Sequence, residues 1–289
     1  GTPIMSPSQD IVIGIFYLTC DYSSAAPDPD RKLPCFSHPH EALMAHTLGK
    51  ITIHEKIRCR MVRDQVVTSP KSAAEPVPAG GVVETTVGRL LFNDILSDQM
   101  PFYNCPLGQK GAGRVIADCQ YLLGRAATID LLDRIKETGF KYSTLAGLSF
   151  GVQDLRIPAA KQKIIAAAQK TVDRIERGYQ HGAITPMERH NQLIDVWVHA
   201  RELVTEEMMK EFKYDRRDEK GNYVPIGEDR GKRYLNPIFL MTDSGARGSV
   251  DQIRQLAGMR ALMAKPSGEI IETPIKSNFR EGLGVLEYF

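Results

Sequence analysis

Residues 158–213 constrain the fold more than any other stretch, because they carry two helical stripes joined by a connection short enough to force a hairpin. In the first, Ile164, Ile165, Ala168, Val172 and Ile175 recur at three- to four-residue spacing, the period that sets one face of a helix on a core. Pro158 suits its opening turn, where a missing N–H costs nothing, and Gly178 offers a stop. The second opens on Thr185-Pro186-Met187-Glu188, a capping box with proline at the first helical position, and continues one stripe through Leu193, Trp197, Val204, Met208 and Phe212. Only Tyr179 to Ile184 lie between, so the sequence predicts an antiparallel pair about 30–40 Å long at about 1.5 Å per residue. Its tip would carry Arg174, Glu176, Arg177, His181, Glu188, Arg189 and His190, which by themselves read as a solvated end.

The rest of the chain is weaker in period. Ile11–Leu18 is β-branched and aromatic yet long enough for a buried helix, and a short helix is the reading taken. Residues 21–39 hold four prolines and read as a loop. Alternation at Ile51, Ile53, Ile57, Cys59 and Met61 predicts strands, with His54 among them as a core histidine. Residues 69–81 read as a turn or connection, Val82–Val87 as a returning strand, and Gly111–Thr138 as mostly helix with breaks near Gly124 and Gly139. The fold class is α+β, mostly helical: a small β-containing unit over 1–157, then a helical unit over 158–289 dominated by the long antiparallel hairpin.

Candidates for chemistry are few. A net charge of +2 and a pI near 8.2 give no broad basic field of the kind a free-standing nucleic-acid binder shows. No run approaches the roughly 18–20 apolar residues of a membrane span and no signal peptide opens the chain, so a cytoplasmic location with no membrane partner is expected. Five scattered cysteines imply no disulfide framework. Cys35, His38 and His40 could offer zinc three ligands, with Cys20 or Cys59 as a fourth, but a proline-rich surface loop is the simpler reading and no metal site is expected. Asp28, Asp30, Asp215 and Asp218 read as solvated acids. Of two glycine-rich motifs, GQKGAGR (108–114) lacks the Lys-Ser/Thr ending of a phosphate-binding loop and reads as a connection. DSGARGS (243–249) is better placed: Ser249 and Gln252 form a capping signature for a helix over 250–264, so Arg247 lies just before a helix start whose free N–H groups favour anions. Taken alone these residues suit a tight turn with a solvated arginine. They leave open a structural helical adaptor, or a stand-alone nucleotide-binding protein using Asp243 to Ser249.

Longer runs narrow the choice. NPIFLMTDSGARGSVDQIRQLAGMRALMAKPSGEIIETPIKSNFREGLGVLEYF (236–289), PSQDIVIGIFYLT (7–19), ETTVGRLLFNDIL (84–96) and the helical pair 158–213 together resemble, in order, the bacterial DNA-directed RNA polymerase β′ subunit family. The resemblance covers most of the chain and departs from the commoner pattern at 21–39 and in the Pro/Ala-rich stretch before Glu84. It implies a pore domain over 1–157 and a funnel domain over 158–289, comprising the rim-helix hairpin 158–213, the active-centre loop and helix 236–264 and the start of the bridge helix at 276–289. It implies a nucleotidyltransferase that transcribes DNA into RNA, within which this segment shapes the secondary channel for NTP entry and for exit of backtracked RNA. Arg247 and Met241 would contact nucleotide, and Arg174, Arg177, His181 and Arg189 would dock Gre-type cleavage factors. Partners would be the β, α and ω subunits, with NTP, the RNA 3′ end and template DNA. The family's catalytic magnesium is held by an aspartate-rich NADFDGD loop upstream of PSQD, so no catalytic residue, metal ligand or cofactor is expected here, and the isolated chain should be inactive. Phe279, Leu283, Leu286 and Phe289 leave an apolar pattern still running, as expected of a piece of a larger, nucleoid-associated subunit.

Overall fold

The computed structural model describes residues 5–21, 33–68, 75–218, 221–224 and 232–288. In chain order the elements are α1 (Gln9–Thr19), β1 (Cys35–Phe36), α2 (Pro39–Thr47), β2 (Lys56–Arg60), β3 (Gln65–Thr68), β4 (Glu75–Val77), β5 (Val82–Thr86), α3 (Val87–Asp94), β6 (Phe102–Tyr103) and α4 (Gln109–Ala146). There follow a 3₁₀ turn at Val152–Asp154, α5 (Lys161–Gln180), α6 (Pro186–Lys213), β7 (Arg216–Arg217), β8 (Lys232–Arg233), α7 (Pro237–Asp243), α8 (Val250–Ala257) and α9 (Val285–Tyr288). The fold is α+β and mostly helical, as expected. Two compact units divide the chain: one runs up to Ser149 and takes in Arg216–Val224 and the stretch ending at Arg247, the other holds Phe150–Asp215 and Gly248 onward. The chain therefore leaves the first compact unit near residue 150 and revisits it between the hairpin and α8.

The first unit is organised by a backbone-to-backbone crossing. A side-chain carbon on Gly14 of α1 would lie 1.8 Å from the Gly139 carbonyl oxygen of α4, and one on Gly139 would lie 2.8 Å from Ile11 Cα. Only glycine at both positions lets the helices approach this closely. Around the crossing Ile15 and Leu18 pack with Phe92, Val115, Ile116, Leu131 and Ile135 in one core. Gly139 is thus a contact inside the helix, where the sequence suggested a break. The real interruption of α4 is Gly124, at φ 82° and ψ −174°, and the helix then runs on to a left-handed Gly147.

A second apolar layer sits under two three-stranded sheets, β1-β2-β5 and β4-β3-β6. In the antiparallel pair β2–β5 the buried Ile57 and Cys59 lie opposite Thr85 and Val83, so alternation puts one face of both strands on the core. The strand starts only at Lys56: Ile51–Glu55 turns instead. His54 is buried in that turn with its ring edge-on to Tyr17, centroids 4.5 Å apart. Within the stretches read as loops, Cys35–Phe36 pairs in parallel with β2 and Glu75–Val77 pairs antiparallel with β3, while residues 22–32, with Asp28 and Asp30, and 69–74 lie outside the described residues.

The motif GQKGAGR is not a connection. Gly108 caps α4 and the remaining six residues form its first turns. Its leading glycine serves close approach, since a side-chain carbon on Gly108 would lie 2.7 Å from the Ser244 carbonyl oxygen.

In the second unit α5 and α6 form the predicted antiparallel hairpin. The Thr185 hydroxyl accepts from Glu188 N (3.2 Å) while the Glu188 carboxylate accepts from Thr185 N (2.8 Å). The first helix stops later than expected: Gly178 is helical, and the reversal falls at left-handed Gly182, φ 72°. Ala168, Trp197, Ala200 and Val204 bury Met259 and Ala261 from the chain beyond α8. That helix ends at Ala257, short of the expected 264, because Gly258 leaves helical geometry and Ala261 turns to φ 70° to pair with Ile275. In the expected bridge-helix start at 276–289, only Val285–Tyr288 is helical among the described residues. Asp215 is no solvated acid: it is fully buried, 3.3 Å from Arg156 Nε. Asp218 is exposed and accepts from Asn222 N at 2.7 Å.

Two outcomes follow. Gly14→Ala forces two backbones apart and should lower unfolding free energy by about 3 kcal/mol or more in urea titration, whereas Gly113→Ala in α4, with open space around it, should be neutral or stabilise by about 0.5–1 kcal/mol. Burial holds the His54 imidazole down to about 4 from its usual 6.5. Because the folded value is depressed, folded and unfolded His54 are both neutral above pH 6.5. Below that the unfolded chain binds the proton first, so this contribution is lost between pH 6.5 and about 4, up to about 3 kcal/mol. The difference in stability between the native chain and His54→Gln, followed over that range, should carry this slope.

Candidate functional site

The loop that the sequence singled out is built by its two glycines and by what precedes it. Asn236, almost wholly buried, starts α7 by accepting from Ile238 N (3.0 Å) and Phe239 N (3.4 Å) on its side-chain oxygen. The helix buries Leu240 beside Ile13, Phe16 and Cys20 of α1, with Met241 half-buried against the same cluster. It ends in a turn with Gly245 at φ 72° and Gly248 at φ 80°, left-handed geometry that any side chain would strain. The Met241 carbonyl accepts from Ser244 Oγ (3.0 Å) and from Arg247 N (3.4 Å). The two nucleotide-contact candidates are therefore joined through one turn. Arg247 is exposed, and its guanidinium makes no ion pair with a described residue. Two residues on, Ser249 Oγ accepts from Gln252 N (3.2 Å) and Gln252 Oε1 from Ser249 N (3.0 Å), the capping box expected for α8.

The sequence did not reveal that the two glycine-rich motifs meet. Gln109 N donates to the Ser244 carbonyl at 2.8 Å, and Gly245 lies against the Gln109 side chain. The start of α4 thus buttresses the turn that carries Arg247, and the glycine at 108 was the available clue.

At the hairpin tip Arg174, Arg177 and His181 are exposed. Arg189 is not free to the same degree. Its Nη1 reaches Glu176 Oε1 at 2.8 Å and its Nη2 reaches both oxygens of Glu272 at 3.1 and 2.9 Å, while the guanidinium lies 5.0 Å over the Tyr179 ring. His190 Nδ1 is 2.8 Å from the same Glu272. Arg174 and His181 are thus exposed, Arg177 is exposed but donates from Nε to the Asp173 carbonyl at 3.1 Å, and Arg189 is held by two carboxylates. Glu272 has no local motif to betray it.

The Cys/His cluster has a structural use. His38 Nδ1 accepts from His40 N at 3.1 Å and so caps α2, and the two rings stack with centroids 4.8 Å apart. Burial pushes the Cys20 thiol up to about 12 and Cys59 up to about 11, which disfavours the thiolate a metal needs. Among the described residues no group of three or more His, Cys, Asp or Glu could hold a metal ion.

These features sit in a sequence with clear relatives. RNA polymerase Rpb1, domain 3, matches residues 1–155 and RNA polymerase Rpb1, domain 4, matches residues 184–280. The first match alone spans more than half of the chain, which therefore belongs to the RNA polymerase Rpb1 family. Among individual relatives it is 45% identical over 289 residues to the DNA-directed RNA polymerase subunit beta' of Rhodopirellula baltica (strain DSM 10527 / NCIMB 13988 / SH1) and 45% identical over 291 to that of Aquifex aeolicus (strain VF5). Each alignment takes in 100% of this chain but only 19% and 17% of the relative. The chain thus spans about a fifth of the length of the curated relatives it matches.

Gly108→Ala should push the Ser244 turn off the start of α4. An overpacked backbone contact of this kind costs about 1–3 kcal/mol, and hydrogen exchange should report it as faster exchange at the Gln109 amide.

Proposed function

We propose that this chain is the part of a bacterial RNA polymerase β′ subunit that shapes the secondary channel, admits nucleoside triphosphate toward the active centre and lets backtracked RNA leave. The observation that carries the reading is the similarity to β′ subunits along all 289 residues, combined with an exposed arginine between two left-handed glycines. In this reading residues up to about 157 are the pore, those beyond it the funnel, and α5–α6 the rim helices. A guanidinium offers phosphate a planar fork of donors, and the turn fixes its backbone without occupying its side chain. Arg247 then meets the triphosphate of the incoming nucleotide, with Met241 beside it.

RNA synthesis in the intact enzyme requires magnesium. Its carboxylate ligands are assigned to the aspartate-rich loop that the family carries outside this chain. The partners are the β, α and ω subunits, template DNA and the RNA 3′ end, and Gre-type factors at the hairpin tip through Arg174, Arg177 and His181, with Arg189 reached only at the expense of its present partners. No described helix is long and apolar enough to cross a membrane. The location proposed is the bacterial cytoplasm at the nucleoid.

In the intact polymerase Arg247→Ala should raise the KM for nucleotide by a factor worth about 1.5–3 kcal/mol, the usual scale of a charge-assisted hydrogen bond. Arg247→Lys should recover part of it, because the charge stays and the fork is lost. An exposed side chain of this kind leaves the melting temperature unchanged. A flat KM with a lowered melting temperature would remove Arg247 from the substrate site and make it a brace of the loop.

A further inference from the structure

Within the second unit the chain beyond α8 is fastened to the hairpin at successive points. Met259 and Ala261 are buried against Trp197, Ala200 and Val204. Lys276 Nζ donates to Gln169 Oε1 at 2.7 Å and lies 5.2 Å over the Trp197 ring. The buried Lys161 ammonium meets Glu281 at 2.5 Å. Between these anchors residues 261–275 fold back on themselves. Ala261 pairs with Ile275, Ile271 N donates to Met263 O at 2.8 Å, and a left-handed Gly268 makes the reversal, with Lys265 and Glu269 paired across it at 2.7 Å.

The distal part of this ribbon buries nothing. Residues 264–271 are all exposed, Ile270 and Ile271 included. A segment with no buried apolar side chain has little local stability of its own. What holds its returning limb to the hairpin is Glu272, gripped by Arg189 and His190 of α6. We infer that 264–272 is a latched ribbon: Glu272 closes it onto the hairpin tip, and an anionic group presented to Arg189 by a partner takes the place of Glu272 and releases it.

The inference extends the proposed role of the hairpin tip by giving docking there an internal consequence. The competitor it requires is a carboxylate or phosphate, the groups that fit a guanidinium fork. Arg189 keeps Glu176 in either state, so the α5–α6 tip stays braced while the ribbon opens.

Hydrogen exchange on this chain tests the latch without any docking factor, so the result does not depend on whether the tip binds one. Glu272→Gln should speed exchange at the Ile271 amide on the order of tenfold, the loss expected for charge-assisted hydrogen bonds on an otherwise exposed segment. The Ile275 amide and those of α5 and α6 should keep their rates. In the native chain inorganic phosphate, compared with chloride at equal ionic strength, should speed Ile271 and should add nothing in Glu272→Gln. Unchanged Ile271 exchange in Glu272→Gln would overturn the latch. So would acceleration shared by α5 and α6, since Glu272 would then support the whole unit. An equal effect of phosphate and chloride would overturn release by anion competition.

Discussion

The crossing of α1 over α4 at Gly14 and Gly139 is the constraint from which the first unit follows. With a carbonyl oxygen where a side chain would be, the two helices fix each other's distance without any adjustable atom between them. The end of α1 is pinned just as tightly. Arg89, buried in α3, donates from Nε to the Thr19 carbonyl at 3.0 Å and from Nη1 to Asn104 at 3.1 Å, which sets a cation at the negative end of the helix. The Thr19 hydroxyl in turn accepts from Leu107 N at 2.9 Å, just ahead of α4. A third glycine, Gly88, brings α3 against the Leu18 carbonyl. The geometry of α1 is thereby passed through α3 and α4 to the turn that holds Arg247.

The second unit relies on a different balance. Its hairpin has one apolar stripe and is otherwise held by charges of which several are buried. Lys161 sits at the start of α5, where the helix dipole disfavours a cation, and Glu281 offsets this from the distant turn before α9. At the same end of the hairpin Glu211 accepts from Ala159 N at 2.8 Å and has its carboxyl pushed up, first by burial. Such pairs add less to stability than their Coulomb attraction suggests, because both ions give up water. What they supply is position: Asn278 donates to the carbonyls of Ala257 and Gly258, both at 3.0 Å, and accepts from Glu281 N, so one buried amide joins the end of α8 to the turn that meets Lys161.

What could be read in advance was what is encoded within one or two turns of chain. The hairpin and the caps at Thr185 and Ser249 depend on residues three or four apart, and they stand as the sequence predicts. The misreadings come from residues whose meaning is set from afar. GQKGAGR looks like a loop until Ser244 is seen resting on Gly108; Gly139 looks like a break until Gly14 is seen against it. Asp215 looks solvated because its sequence neighbours are arginines, yet it is sealed beside Arg156, 59 positions earlier. The Arg247 turn was legible because its signals are glycines and a cap. The engagement of Arg189 was not, since Glu272 lies 83 residues away.

The revisiting of the first unit after the hairpin bears on the order in which the chain can take shape as it is synthesised. The α5–α6 pair closes on contacts between near neighbours, the kind that form fast, so it can exist soon after Lys213 emerges. The core of α1 is different: Ile13 and Phe16 are covered by Leu240, which is made more than two hundred residues later. At bacterial elongation rates of about 5–20 residues per second, the apolar face of α1 waits on the order of ten seconds or more for the residue that finishes it. The apolar face of α1 is therefore sealed long after it is made, and during that interval it is open to chaperones and to aggregation.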